Sequence, residues 1–400
     1  MRIVSPADIL LPNVKDLSAW CVIACDQFTS QREYWERVRA LTGDGPSALE
    51  LMLPEAWLDA PEAAGAEERI IGAMERYLSE GVFSEEKNCF VYLERTLRGG
   101  GVRRGLMAAL DLERYDFSAR SRAPVRATEG TVKERLPPRI RIRSGAPLEM
   151  PHVMVLMDDR DDRVLGPLNS AKHRMKKLYD TELMLSGGRV AGWRVRGDLA
   201  ETVQDALDSL GDAGLQRRKY GDAADNGPLT FASGDGNHSL AAAKRWWEEL
   251  KIALTEAERE THPARFALVE LVNIHDPALR FAPIHRLVRD TDASCFPEEL
   301  ALHRADWEAP GLTVGQRVAA ADAFCQRYTA AHGGSVDYIH GDETALELGS
   351  RPGCGAVLLP SMDKEELFLS VLTGGPLPRK SFSMGDAKDK RYYLECRRIK

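Results

Sequence analysis

Apolar positions recur at helical spacing over 67–78, where Ile70, Ile71, Met74 and Leu78 would share one face, so a helix is predicted there. Residues 30–39 read as another, with Thr29 or Ser30 as N-cap. The apolar runs 89–93 and 105–110 flank Gly99-Gly100-Gly101 and predict a hairpin, since glycines accept positive φ. Arg139-Ile140-Arg141-Ile142-Arg143 alternates charged and β-branched residues, the pattern of a half-exposed strand. A buried strand is expected over 153–157, ended by a turn at 158–161, and a second hairpin about Gly187-Gly188 between 182–185 and 190–195. Residues 201–210 read as helix and 217–227 as a polar loop. Then come a short strand over 228–232, a strong helix over 240–247 and a long apolar strand over 266–274. Beyond 291, helices near 297–303, 314–331 and 363–372 alternate with strands at 336–340 and 355–359, as in a small α/β unit. The expected fold class is α+β. Residues 1–290 form its main domain, 291–375 a small α/β subdomain, and 376–400 a segment returning to the main domain.

Composition narrows the function classes. The chain is 44% hydrophobic and 29% charged, ordinary for a globular protein. A net charge of −7 argues against a general nucleic-acid binder, yet leaves room for a local basic pocket. No apolar window reaches the length of a membrane span, and Met1–Asp8 does not read as a secretory leader. A soluble cytoplasmic protein is therefore expected, with small-molecule partners and its oligomeric state open. Seven scattered cysteines suit reduced thiols; Cys21 and Cys25 lack the second pair that a zinc site requires. HExxH, CxxC and Walker-type patterns are absent.

The most informative stretch is Ser233-Gly234-Asp235-Gly236-Asn237-His238-Ser239, between the strand at 228–232 and the helix at 240–247. A helix start leaves its first amides without intrahelical acceptors, and these favour an anion such as phosphate. Gly234 and Gly236 would let backbone approach a phosphate. Asp235 would repel a bare phosphate but suits Mg²⁺ ligation or a base accepting a hydroxyl proton. His238 could donate to a phosphate oxygen, and Ser239 could cap the helix. The same turn is equally compatible with plain helix capping. Ser239 stands where a dinucleotide fingerprint has its third glycine, so a nicotinamide site is weakly matched.

These residues resemble the bacterial "domain of unknown function 1015" family, which carries a strand–(A)DGHHR–helix signature. The resemblance extends to Pro283-Ile284-His285-Arg286 for an LPxHR signature, Arg126-Ala127-Thr128-Glu129-Gly130-Thr131 for an RxExT-like element, and Pro378-Arg379-Lys380-Ser381 for PPKST. Asn237 replaces the family's first histidine and Ser239 its arginine; serine cannot pair bidentately with phosphate. The family turn is similar to that of the ParB, sulfiredoxin and free serine kinase superfamily. The resemblance implies a ParB/serine-kinase-like mixed sheet and ATP or ADP with Mg²⁺ as cofactors. It also implies a nucleotide-dependent phosphotransferase acting on serine or a similar hydroxy metabolite. Asp235, Glu129 and His238 would be catalytic, with Asp235 or Glu129 on the metal. Gly234, Gly236, Asn237, Ser239, His285, Arg286, Arg126, Lys380 and Ser381 would hold the nucleotide and its phosphates. Asp26, near a PPYDV-like family segment, is a further candidate for the pocket. A non-catalytic nucleotide-sensing regulator is the alternative, and a hydrolase or dehydrogenase a third. His275-Asp276 reads as a turn after a strand, and Trp246 and Trp247 as packing residues.

Overall fold

The computed structural model describes residues 2–29, 31–58, 60–385 and 387–400. Ser30, one of the two expected N-caps, lies outside them. The fold is mixed α+β, as expected. Its main sheet runs Tyr115–Asp116, Val125–Ala127, Phe231–Asp235, Met154–Met157, Phe266–Asn273, Val102–Asp111, Phe83–Thr96, Arg189–Val195 and Lys177–Glu182. Strands Ala7–Pro12 and Val4–Ser5 pair along its middle.

Strand direction positions the site. Val125–Ala127 is parallel to Phe231–Asp235, and Met154–Met157 is antiparallel to it. The residues after Ala127, the end of the 231–235 strand and the residues before Met154 therefore meet at one end of the sheet. The central strands read as continuous apolar runs because both faces are covered. Val155, Met157 and Phe231 face one core; Met154, Leu156 and Ala232 face another. Leu156 and Ala232 pack with the second core beside Phe324, Phe368 and Met384 of the C-terminal third.

A smaller sheet centres on Phe281–Arg289, which pairs with Ser335–His340, Gly355–Val357 and Phe382–Met384. This central strand lies ahead of the expected boundary at 291. The chain then returns to the main body. Ala24 N–H donates to the Lys390 carbonyl at 2.8 Å, Tyr392 N–H donates to Val22 at 3.0 Å, and Arg397–Arg398 pairs with Leu148–Glu149.

Four local expectations change. Residues 139–143 lie in a helix, Leu136–Gly145, begun by Pro137 and Pro138, whose fixed φ suits a first turn; the helix packs on Asn237–Leu250. The expected loop at 217–227 begins inside a helix, Ala213–Tyr220, whose cap Asp212 accepts the Leu215 N–H at 2.9 Å. The 228–232 strand shifts to Phe231–Asp235, whose ladder opens with Phe231 opposite Val125 and Met157, while the Thr230 N–H just ahead of it donates to Pro124. In the second hairpin the first arm is Lys177–Glu182, since Leu185 and Ser186 take positive φ and belong to the turn. Helices Ala66–Ser79, Phe296–His303 and Val314–His332 lie close to their expected spans. Among the described residues, no helix is long and apolar enough to cross a membrane.

Candidate functional site

The helix Asn237–Leu250 starts on Gly236, which adopts φ +71° and offers no side-chain cap. Its first intrahelical bond runs from Leu240 N–H to Gly236 at 3.0 Å, so the amides of 237–239 lack intrahelical acceptors. A Cβ at position 236 would also come within 3.0 Å of Val153. Gly234 is needed for a different reason. It lies within the strand, and its Cβ would sit 2.7 Å from Met384 Cε and 3.0 Å from Leu156, so its bareness serves packing.

Asp235 does not point toward the helix amides. Its Oδ1 accepts the Gly236 N–H at 3.0 Å, and its Oδ2 pairs with Lys390 Nζ at 3.0 Å. Burial lowers the Lys390 pKa, but the charges of Asp235, Asp26 and Glu129 outweigh it and hold it above the usual lysine value. Lys390 is thus in contact with Asp235 and feels the charges of Asp26 and Glu129. Burial works against charge on Asp26; His152, the Gln27 amide, Lys390 and Arg139 prevail and keep its carboxyl below the usual range. Glu129 behaves oppositely. Burial pushes it above the usual glutamate value, although the backbone N–H groups of Lys380 and Ser381 and the Lys380 and Lys390 charges pull it down.

His238 Nε2 accepts the Val132 N–H at 3.2 Å, which assigns the ring proton to Nδ1. Burial and the charges of Arg139, Arg135 and Arg379 push its pKa down to about 4, against Asp26, so the ring is neutral at pH 7. Ser239, Leu240, Arg135, Arg139, His152 and Tyr392 share the lining of a cavity of about 440 Å³. His152 also borders a smaller void of about 30 Å³ lined by Asp235, Lys390, Arg103, Glu270 and Tyr393. It stands in the wall between them. Asn237 Oδ1 and Thr131 Oγ1 are buried and accept or donate no hydrogen bond among the described residues. Cys25 lines the larger cavity, but burial raises its thiol to about 12, which rules out an easily formed thiolate.

A family model described as a protein of unknown function (DUF1015) matches residues 4–396. The chain belongs to this family. No curated protein and no solved structure matches it.

The four DUF1015-like elements are joined in space, though not all by their side chains at a cavity. Leu377 N–H donates to Thr128 at 2.7 Å, laying the 378–381 turn beside Glu129. Lys380 takes φ +59° there, and its carbonyl accepts Arg286 Nη1 at 2.8 Å. Ser381 is buried and its Oγ donates to the Pro378 carbonyl at 2.6 Å.

Several expected phosphate ligands are otherwise engaged. Arg126 is buried and spans the carbonyls of Ala123, Asn226, Gly227 and Pro228. Arg286, fully buried, forks onto Asp322 at 2.6 and 3.2 Å. His285 accepts the Leu359 N–H at Nδ1 (3.1 Å) and meets Asp342 through Nε2 (2.9 Å). These three act as ties between segments. The carboxylates also fit a protein-held Mg²⁺ poorly, because Lys390 covers Asp235 Oδ2 and two backbone amides take Glu129.

Lys390 and His152 were missed from the sequence. Lys390 sits in a polar run, and its position comes from pairing with residues more than 360 positions away. His152 had one local signal: it precedes an apolar strand neighbouring the turn.

Proposed function

We propose that this site binds a phosphate-bearing small molecule and transfers a phosphoryl group from ATP or ADP to a hydroxyl of serine or a similar metabolite. The serine-like acceptor rests on the resemblance to free serine kinases. The site chemistry rests on one observation: Glu129, a carboxyl with a raised pKa, lies on the segment whose Val132 N–H meets His238 in the first turn of the helix Asn237–Leu250, and Arg135 and Arg139 line the cavity at that helix start.

In the proposed reaction the amides of 237–239 and the guanidinium of Arg139 hold the donor phosphates. Arg139 lines the cavity from the helix Leu136–Gly145, where its Nη2 pairs with Glu55 at 2.5 Å and its Nη1 donates to the Arg135 carbonyl at 3.0 Å; a phosphate would take the place of Glu55 and meet the guanidinium that Ser239 lacks. Glu129 takes the acceptor's hydroxyl proton; the acceptor oxygen bonds to phosphorus as the bridging P–O bond of the donor breaks, and the shortened nucleotide leaves. Lys390 borders the smaller void behind His152, where Asp235 holds it, and offsets the charge of the site from there in place of Arg286. Mg²⁺ would arrive with the nucleotide phosphates. The pairing of Asp235 with Lys390 also favours a second reading, a nucleotide sensor that binds without turnover.

Thermal stability measured with ATP, ADP, CTP and pyrophosphate, each with and without Mg²⁺ and L-serine, tests both, with phosphoserine followed by mass spectrometry. A kinase shifts with nucleotide and makes product. A sensor shifts alone, and no shift with any of the four ends both readings.

A further inference from the structure

A second site lies in the C-terminal third, on side chains the proposed reaction does not use. Cys295 immediately precedes the helix Phe296–His303, Glu299 lies in its first turn, and His332 ends the helix Val314–His332. Cys295 Sγ is 3.6 Å from Glu299 Oε1 and 3.7 Å from His332 Nε2, and Nε2 is 3.1 Å from the same carboxylate oxygen. We propose that Cys295, Glu299 and His332 form a Zn²⁺ site, with water completing a tetrahedron.

Three observations carry this. Metal–ligand bonds of the usual zinc lengths, set at tetrahedral angles, place sulfur, nitrogen and oxygen donors about 3.4–3.6 Å apart. The triangle already has nearly that size. A proton or a small shift is all that separates the present contacts from coordination, since a metal replaces the proton shared by Nε2 and the carboxylate.

The arrangement also argues against the other chemistry open to these residue types. A cysteine–histidine–carboxylate relay needs thiol and acid on opposite ring nitrogens, so that a proton passes through the imidazole. Here Sγ lies 3.7 Å from Nε2 and 3.8 Å from Nδ1, singling out neither nitrogen, and it also meets Glu299 Oε1 directly at 3.6 Å without the ring between them. The donors converge on a point instead of forming a chain. One thiolate, one imidazole and one carboxylate suit Zn²⁺, whereas Mg²⁺ and Ca²⁺ prefer oxygen alone.

Finally, the donors are held from outside. The His332 carbonyl accepts from Thr291 Oγ1 at 3.2 Å and Asp292 N–H at 3.3 Å, pinning it to the loop that carries Cys295. The Tyr328 ring packs on His332 with centroids 4.4 Å apart, and its hydroxyl donates to the Asp292 carbonyl at 2.6 Å. Such outer contacts fix donor orientation before a metal arrives. All three donors are half-buried, so an ion can enter. Among the described residues, no further cysteine, histidine or carboxylate joins the group, which leaves one position to solvent.

The full chain, stripped with chelator and titrated with Co²⁺, should show a thiolate-to-metal charge-transfer band that saturates at one equivalent and bleaches with Zn²⁺. Zn²⁺ should raise Tm. Cys295→Ser and His332→Ala, confirmed folded by circular dichroism, should lose both signals; Glu299→Gln should weaken binding. Cys354→Ser, at a half-buried cysteine outside the cluster, should keep both. An absent band, a band surviving Cys295→Ser, or a Tm rise retained by His332→Ala would overturn the assignment.

Discussion

Two strand-borne segments of this chain each pair a histidine with a charged neighbour, and their fates differ. On the small sheet, His285 and Arg286 are almost wholly buried, and their hydrogen-bonding groups meet Leu359, Asp342, Asp322, Ile284 and Lys380. At the end of the large sheet, Asp235 meets Gly236 and Lys390 and His238 meets Val132, but the amides of 237–239 lack intrahelical acceptors, Asn237 Oδ1 has no hydrogen bond among the described residues, and Glu129 is driven off its usual pKa. Polar groups satisfied by the fold maintain it; polar groups left partly unsatisfied are available to a ligand.

The sharpest way to break that distinction is Arg286→Ala. It leaves the Asp322 carboxylate without its fork and should cost roughly 3–5 kcal/mol of unfolding free energy in chemical denaturation. A loss under 1 kcal/mol would mean the segment is not a structural tie. Next, Glu129→Gln should lower phosphoryl transfer by roughly 10²–10⁴-fold while nucleotide-induced stabilisation persists. In the parent protein the acid limb of kcat/KM should lie above the ordinary glutamate value of 4.5, because the base works only when deprotonated.

A smaller effect concerns His238 and pH. The folded state holds His238 at about 4 against an ordinary 6.5, so the unfolded chain binds the extra proton between those values. Stability from neutral His238 is present above pH 6.5 and is lost as the pH falls toward 4. The full shift corresponds to about 3 kcal/mol, and partial exposure reduces it to about 1–2 kcal/mol. Denaturation of His238→Gln across pH 4–7 should lack that loss; an unchanged slope would place the ring elsewhere. The smallest change expected is Arg139→Ala, weakening pyrophosphate binding by roughly tenfold in calorimetry. Unaltered affinity would remove the cavity arginines from ligand recognition.

Much of the scaffold was readable from local pattern. The 83–96 and 102–111 hairpin, the 66–79 helix and the 266–273 strand follow from apolar runs and spacing. Helix Leu136–Gly145 was misread because Ile140 and Ile142 alternate with arginines; Pro137 and Pro138 at its start were the better signal. For the site, glycine spacing pointed to Asp235, Gly236 and His238, and the Asp26 and Glu129 readings placed further carboxylates near them. It could not reveal that Gly234 answers to Met384, or that Arg126 clamps a loop, since both depend on distant neighbours. Lys390 lay beyond any local reading for the same reason.

The return of the 376–400 segment has a consequence for synthesis. Asp235 emerges from the ribosome long before the ammonium it pairs with, so a chain halted short of residue 390 leaves that carboxylate without its partner. Such long sequence separation slows closure. The pocket is therefore assembled late, and a shortened chain should be easily digested by protease.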